Sequence, residues 1–387
     1  MKKYFIFIFV MIIFSYFGCK KITNKKDTIM KNSMQELVNF LEKKTKVIKI
    51  GDEKGPLIVI LPEIGAKIIG MSIDGLKGEN LLWISDSLLN ESYWKKPDWN
   101  IGGARTWISP EDQFYLDNNN NWFVPSNMDP GKYVEELSDK NSIQCSNTFE
   151  INDKNNNHYK VKITRKIEIL NSPPENIKPD KYNFSFAGFT FTHELQNIDS
   201  KTIGKDIPYM GLWSLIQLNA NGTMIIPIKE GKDKRGENYR NFFNLFTPDR
   251  ISVKPNNITV KMDGKFRGKI GIAPWAAKEL LAYLYDIKND EAILFVKNFS
   301  VNPEGKYLDK PWGKESSYGD AVEIYNDDGK MGGFCEMECH AEAKELKQNE
   351  KISHTIIFSA FKGKKSDLKD FALKLLKISP ENIIFYN

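Results

Sequence analysis

Gly332-Gly333-Phe334-Cys335-Glu336-Met337-Glu338-Cys339-His340 reads as one extended strand with two unlike faces. Side chains alternate along a strand, so Phe334, Glu336, Glu338 and His340 share one face while Cys335, Met337 and Cys339 share the other. The second face is that of a core strand. On the first, groups two residues apart stand roughly 6.5–7 Å from one another, a spacing at which two carboxylates and an imidazole reach into one ligand site. The same row would also suit the solvated face of an antiparallel sheet.

Outward from this strand the chain keeps a period of two. Segments 66–73, 158–170, 184–197, 210–218, 280–287, 292–299, 321–325 and 351–361 alternate in the same way and are separated by Gly, Asn, Asp and Pro clusters. Asp263-Gly264 and Asp328-Gly329 have hairpin-turn chemistry. Strands do not alternate with long amphipathic helices, which excludes a parallel α/β fold. The expectation is an all-β chain, a large antiparallel sandwich with one short helix at each end. The first helix would start at Ser33 as N-cap, with Met34, Leu37, Val38 and Leu41 on one stripe; the last would start at Ser366 and present Leu368, Phe371, Ala372 and Leu375. Residues 92–137 and 229–249 read as long irregular loops.

With 387 residues, 41% hydrophobic and 12% aromatic, the chain has the means to bury a large core. The 55 basic and 50 acidic residues nearly cancel and are spread throughout, so no nucleic-acid partner is expected. At the N-terminus Lys2 and Lys3 precede an apolar run over 4–14 and then Gly18-Cys19, the layout of a secretory signal. The alternative is an uncleaved single-span anchor. Cys335 and Cys339 on one strand would lie about 13 Å apart, beyond the reach of a disulfide, and are expected as small buried hydrophobes.

The stretch Trp99-Asn100-Ile101-Gly102-Gly103-Ala104-Arg105-Thr106-Trp107-Ile108-Ser109-Pro110-Glu111 is the second candidate for chemistry. The glycine pair would let the backbone turn and approach a ligand, Arg105 offers a planar fork of donors, and the indoles offer flat faces. A sugar presents CH patches and a hydroxyl rim, so Trp107 would stack while Arg105, Glu111 and Glu336 held hydroxyls. The competing reading is an aromatic loop packed on the sandwich, with Arg105 paired to Glu111 or Asp112. Four histidines limit any imidazole chemistry. His193 shares a face with Phe189, Phe191 and Leu195, His354 follows as a sheet neighbour of the central row, and His340 has carboxylates beside it. Glu336, Glu338 and His340 would converge on a metal only on a strongly curved strand, so no metal and no cofactor is expected.

Two resemblances follow from these motifs. Gly18-Cys19 after the apolar run resembles a bacterial lipoprotein signal, although Tyr16 and Phe17 depart from it. That resemblance implies a signal peptide over 1–18, lipidation of Cys19, a tether over 19–33 and a single domain over 34–387. It also implies a bacterial cell-envelope location, anchored to the membrane and facing the periplasm or exterior. Segments 62–75 and 79–83, Ile101-Gly102-Gly103-Ala104-Arg105, and Cys335 to His340 resemble the galactose-mutarotase-like superfamily. The resemblance implies a β-supersandwich that binds carbohydrate, with Glu338 as general base, and Trp213 joins the binding residues. The chain departs from the family at 208–218, where the acid histidine of aldose mutarotases is missing. His340 or His193 would then act as acid in an aldose 1-epimerase-like enzyme, or the domain would bind sugar without turning it over. The alternatives are a non-catalytic envelope module, or a polysaccharide lyase or hydrolase with Tyr318 or Tyr325 as base.

Overall fold

The computed structural model describes residues 33–386 apart from 180, 232–235, 288, 315 and 317. The expected signal, Cys19 and all but the last residue of the tether lie outside the described residues. Nineteen strands, β1–β19 in chain order, form two sheets among the described residues. The front sheet runs β1 (Ile48–Gly51), β2 (Leu57–Leu61), β3 (Lys67–Ser72), β4 (Ala104–Ser109), β9 (Gly211–Asn219), β18 (Phe334–His340), β17 (Val322–Asn326), β14 (Gly268–Ile272) and β11 (Tyr239–Asn241). The back sheet runs β12 (Ile251–Lys254), β13 (Asn257–Met262), β10 (Gly222–Pro227), β15 (Leu280–Asp286), β16 (Glu291–Asn298), β19 (Lys351–Lys364), β8 (Ser185–Asn197), β7 (His158–Ile169), β6 (Ser142–Asn152) and β5 (Val134–Ser138). All of these ladders are antiparallel.

The inner faces of the two sheets share one large apolar core that includes Ile60, Ile163, Phe191, Ile324 and Met337. Cys335, Met337 and Cys339 point into it, as the alternation of β18 requires. The opposite row of β18 is not solvated: Glu336 is 6% exposed, and Glu338 and His340 are each 1% exposed. Burying three ionisable groups on the outer face of a sheet costs free energy unless they are paired, so other elements must cover that face.

Among the described residues, four α-helices lie outside the sheets: α1 (Met34–Leu41), α2 (Glu91–Lys95), α3 (Glu111–Phe114) and α4 (Lys365–Leu376). Ser33 caps α1, accepting the Glu36 amide at 3.4 Å. The closing helix starts two residues earlier than Ser366 suggests: its N-cap is Lys364, without a side-chain cap, because β19 runs straight into the first turn. No helix among the described residues is long and apolar enough to cross a membrane.

Several local expectations change. Segment 92–137 is not loop throughout, since it holds β4 paired along its whole length with β9. A six-residue strand framed by Gly-Gly and Pro gives too short a period to read from sequence. Asp263-Gly264 is not a hairpin turn but part of the crossover from β13 in the back sheet to β14 in the front sheet. Asp328-Gly329 does lie in a hairpin, the wider 327–333 connection between β17 and β18. His354 belongs to β19 and faces His193 across the back sheet, so it is no neighbour of the β18 row.

Gly102 and Gly103 have φ of +105° and +75°. A Cβ at Gly103 would stand 2.0 Å from the Ile68 carbonyl oxygen, and one at Gly102 would stand 2.1 Å from that of Trp83. The pair is there to let the chain pass its own neighbours, rather than a ligand. Gly103→Ala is therefore expected to lower stability by more than about 2 kcal/mol relative to Gly313→Ala. Gly313 serves as control because it shares a positive φ (+66°) with nothing within 4 Å of an added Cβ. Urea unfolding midpoints of the two variants check this; equal losses would reject the clash.

Candidate functional site

Five adjacent strands of the front sheet carry the site on their outer face: β4, β9, β18, β17 and β14. The register sets Trp107 opposite Trp213, Arg105 opposite Leu215, Leu215 opposite Glu338, Glu338 opposite Glu323, and Lys269 opposite Tyr325. Adjacent strands are about 4.8 Å apart, so this row spans roughly 19 Å of sheet. Over it lies a cavity of about 310 Å³.

One wall of the cavity is aromatic. Trp99, Trp107, Trp122 and Trp213 contact one another edge-on or tilted, with centroids 5.3–6.3 Å apart. Their orientation is fixed from behind. The Trp107 Nε1–H donates to Asp129 at 2.7 Å, the Lys67 ammonium lies 2.9 Å from Asp129, and the same ammonium donates to the Trp99 carbonyl. Lys67 and Asp129 are wholly buried, and burial lowers the lysine pKa to about 8. Tyr325, Phe334, Phe243 and Met331 also line the cavity, and they pack in one cluster with Trp83.

Within the cavity lining the charges pair. Arg105 lies flat over Trp107 at 4.3 Å and donates from Nη2 to Glu336 at 2.8 Å. Its Nε and Nη1 have no partner. Burial raises the Glu336 pKa to about 7 despite the guanidinium beside it. Glu338 accepts the Trp213 indole N–H at 2.9 Å. Glu111 accepts the indole N–H groups of Trp122 and Trp312 at 3.0 and 3.2 Å.

Lys269 is the centre of this arrangement. Its ammonium lies 2.8 Å from Glu323, 3.5 Å from Asp309, and 3.6 Å from both Glu111 and Glu338. Burial works against the charge, but the four carboxylates outweigh it and hold the lysine pKa well above its usual range. One ammonium cannot neutralise four buried carboxylates. Burial and mutual repulsion accordingly push the pKa values of Asp309 and Glu323 well above the ordinary carboxyl range.

All the expected binding residues, Arg105, Trp107, Glu111, Trp213 and Glu336, line this one cavity, and so does Glu338. Arg105 pairs with Glu336 and not with Glu111 or Asp112. His340 does not line the cavity; it stacks on the far side of the row against Trp213, at 5.4 Å and 18°, and lies 3.1 Å from Glu323. Burial lowers its pKa to about 4, so the imidazole is neutral and poorly placed to protonate a ligand. His193 is fully buried between the sheets, with Nδ1 2.7 Å from the Thr106 hydroxyl. Neither histidine supplies the acid that β9 lacks, since β9 presents Trp213 and Leu215 to the cavity. Of the two tyrosines, Tyr325 lines the cavity, whereas Tyr318 packs on Trp275 at 4.4 Å.

Sequence reading missed Lys269, Asp309 and Glu323. A lysine within the apolar run Gly268 to Ile272 was the one available signal for Lys269. Asp309 comes from an irregular segment and accepts the Glu111 amide at 2.6 Å, a contact with no sequence signature. Asp309, Glu323 and His340 bring three ligand atoms within 4.8 Å, a geometry able to hold a metal. The Lys269 ammonium already lies against two of the three, Glu323 at 2.8 Å and Asp309 at 3.5 Å.

The buried groups titrate in opposite senses. Glu336, with its folded pKa above the carboxyl norm of 4.5, makes the fold less stable as pH rises from 4.5 to about 7. His340, with its pKa below 6.5, takes up fewer protons folded than unfolded, so stability falls as pH falls from 6.5 to about 4. His340→Phe, which keeps a ring against Trp213, should lose less stability than the wild type across that window. Urea unfolding at pH 6.5, 5 and 4 measures the difference; parallel losses would clear His340 of the acid sensitivity.

A family model described as Family of unknown function (DUF6786) matches residues 32–385. No curated protein matches the chain. Among solved structures, a candidate aldose 1-epimerase from Escherichia coli K12 superposes with a TM-score of 0.50 at 10% identity, covering 81% of this chain and 98% of that one. A candidate aldose 1-epimerase from Klebsiella pneumoniae gives 0.48 at 10% identity over 88% and 85% of the two chains. A galactose mutarotase-like protein from Lactobacillus casei gives 0.47 at 12% identity over 81% and 100%. The two packed antiparallel sheets are thus a galactose-mutarotase-like sandwich, and the chain belongs to the Family of unknown function (DUF6786).

Proposed function

We propose that the cavity over β18 binds a carbohydrate, a monosaccharide or the end of a glycan. The observation that carries this reading is the pairing of four indoles with Arg105, Glu336 and Glu338 around one space of about 310 Å³. That volume is at the small end of the roughly 300–1,000 Å³ typical of ligand clefts, enough for a ring but not a long polymer. A sugar would lay its CH face on the tryptophan wall and offer hydroxyls to Arg105, Glu336 and Glu338. The cavity is concave and charged, which favours a small ligand over a flat protein contact.

Glu338 would be the base if the anomeric carbon reacts. Ring opening also needs an acid at the ring oxygen, a contribution of about 10²–10⁴ in rate. With His340 outside the cavity lining, the proton-bearing side chains of the wall include Lys269, Lys330 and the Tyr325 hydroxyl, and burial raises the Tyr325 pKa. Binding is therefore the better supported role, and epimerisation the second reading.

The test is NMR of the detergent-solubilised full chain with aldoses freshly dissolved in one anomeric form. Saturation transfer to a sugar, reduced at least tenfold in affinity by Arg105→Ala or Glu338→Gln, is expected. Faster anomer exchange that disappears in Glu338→Gln would establish the epimerase; binding insensitive to both substitutions would reject the site.

We also propose that the chain is exported and anchored through lipid on Cys19 in the bacterial envelope, motivated by Lys2-Lys3, the apolar run and Gly18-Cys19. Cys19→Ser should move the protein from the membrane pellet to the soluble fraction and abolish labelling by a fatty-acid probe. Unchanged fractionation and labelling would discard the anchor.

A further inference from the structure

This inference rests on the carbohydrate reading of the same cavity and concerns which sugars it accepts. Five carboxylates line the cavity, and each has its partner within the wall. Glu111 takes two indole N–H groups, Glu336 takes Arg105, and Glu338 takes Trp213. Asp327 takes the Tyr325 hydroxyl at 3.1 Å and the amides of Gly329, Met331 and Gly333 at 2.9–3.1 Å. Asp328 takes the Lys330 ammonium at 2.8 Å.

The basic residues of the wall are Arg105, Arg267, Lys269 and Lys330. Three of them are spoken for by Glu336, the carboxylate cluster and Asp328. Arg267 is the exception. Its guanidinium lies over the Phe243 ring at 4.1 Å, its Nε is buried without a hydrogen-bond partner, and no carboxylate pairs with it among the described residues. Its neighbour Tyr325 brings no charge, because burial keeps that phenol protonated.

The backbone that carries Arg267 is held in place. The Arg267 carbonyl accepts Asn244 Nδ2–H at 2.8 Å, and the Phe266 carbonyl accepts Asn326 Nδ2–H at 2.7 Å. The Phe266 ring lies under Arg250 at 5.1 Å. The guanidinium is thus presented at the cavity by a pinned crossover, over an aromatic ring and beside the Tyr325 hydroxyl, with no carboxylate among the described residues to neutralise it. An oxyanion meets such a fork with two parallel, charge-assisted hydrogen bonds, which a neutral hydroxyl cannot reproduce.

We propose that the cavity prefers sugars carrying an anionic substituent, a carboxylate or a phosphoryl group, which pairs with Arg267 while the ring stacks on the tryptophan wall. Local pairing decides this more than the overall sign of the wall, because every carboxylate there is already satisfied by a neighbour.

The experiment is isothermal titration of the detergent-solubilised full chain with matched sugars: glucose against glucuronate and glucose 6-phosphate, and galactose against galacturonate. The anionic member of a pair should bind at least tenfold more tightly than the neutral one. Arg267→Gln should bring that ratio close to one, and Arg267→Lys, which keeps the charge but loses the fork, should leave an intermediate ratio. Whether glucuronate or glucose 6-phosphate gains more tells carboxylate from phosphoryl. Thermal melts establish that both variants are folded. Neutral sugars that bind as well as their anionic partners, or a preference that survives in Arg267→Gln, would overturn the proposal while leaving the carbohydrate site standing. A chain that binds none of the panel would overturn the carbohydrate reading and this one with it.

Discussion

A single ammonium group governs the outer face of the front sheet. Lys269 Nζ is the common neighbour of Glu111, Asp309, Glu323 and Glu338, which come from α3, an irregular segment, β17 and β18. Without that charge the face would bury four carboxylates with no cation among them, at a cost of several kcal/mol per ion. With it, each of the four carboxylates has a cation within 3.6 Å. The cavity floor is therefore one charge cluster built around a single lysine. It explains why Glu338 can be buried on a sheet face that has no apolar partner layer.

The other sheet supports the same strands through the core. Lys297 on β16 donates across the interior to the carbonyls of Ser214 on β9 and Met337 on β18, at 3.0 and 2.8 Å. Arg165 on β7 donates to the Thr106 carbonyl on β4 at 2.7 Å, and its guanidinium lies over Tyr133 at 4.3 Å. Among the described residues these buried cations pair with no carboxylate; they use backbone oxygens, whose second lone pair the ladder leaves free. β4, β9 and β18 are the strands that present Arg105 and Trp107, Trp213, and Glu336 and Glu338. The same residues that look like misplaced charges in the core thus fix the backbone beneath the site.

Much of this was legible in the chain. The alternation of β18 separated Cys335, Met337 and Cys339, which lie in the core, from Glu336 and Glu338, which line the cavity. The expected binding residues do share one cavity. Other features were hidden for identifiable reasons. β4 is short and flanked by turn residues, so Arg105 read as a loop residue. The glycines before it answer to the Ile68 and Trp83 carbonyls, which no local pattern announces. His340 sits on the right face of the right strand, yet a tryptophan one strand away takes the cavity side.

The sequence by itself determined most of the strands, which of their residues share a face, and where α1 is capped. Those properties depend on neighbours within about ten residues, because side-chain period and capping are local. Only the tertiary structure decided which strands lie side by side. The order β4-β9-β18-β17-β14 joins segments far apart in the chain, and it alone brings Lys269 to Glu338 and Arg267 to the same cavity as the tryptophans. Charge pairing across strands depends on that order and register, and two carboxylates on one strand do not specify which cation will stand between them.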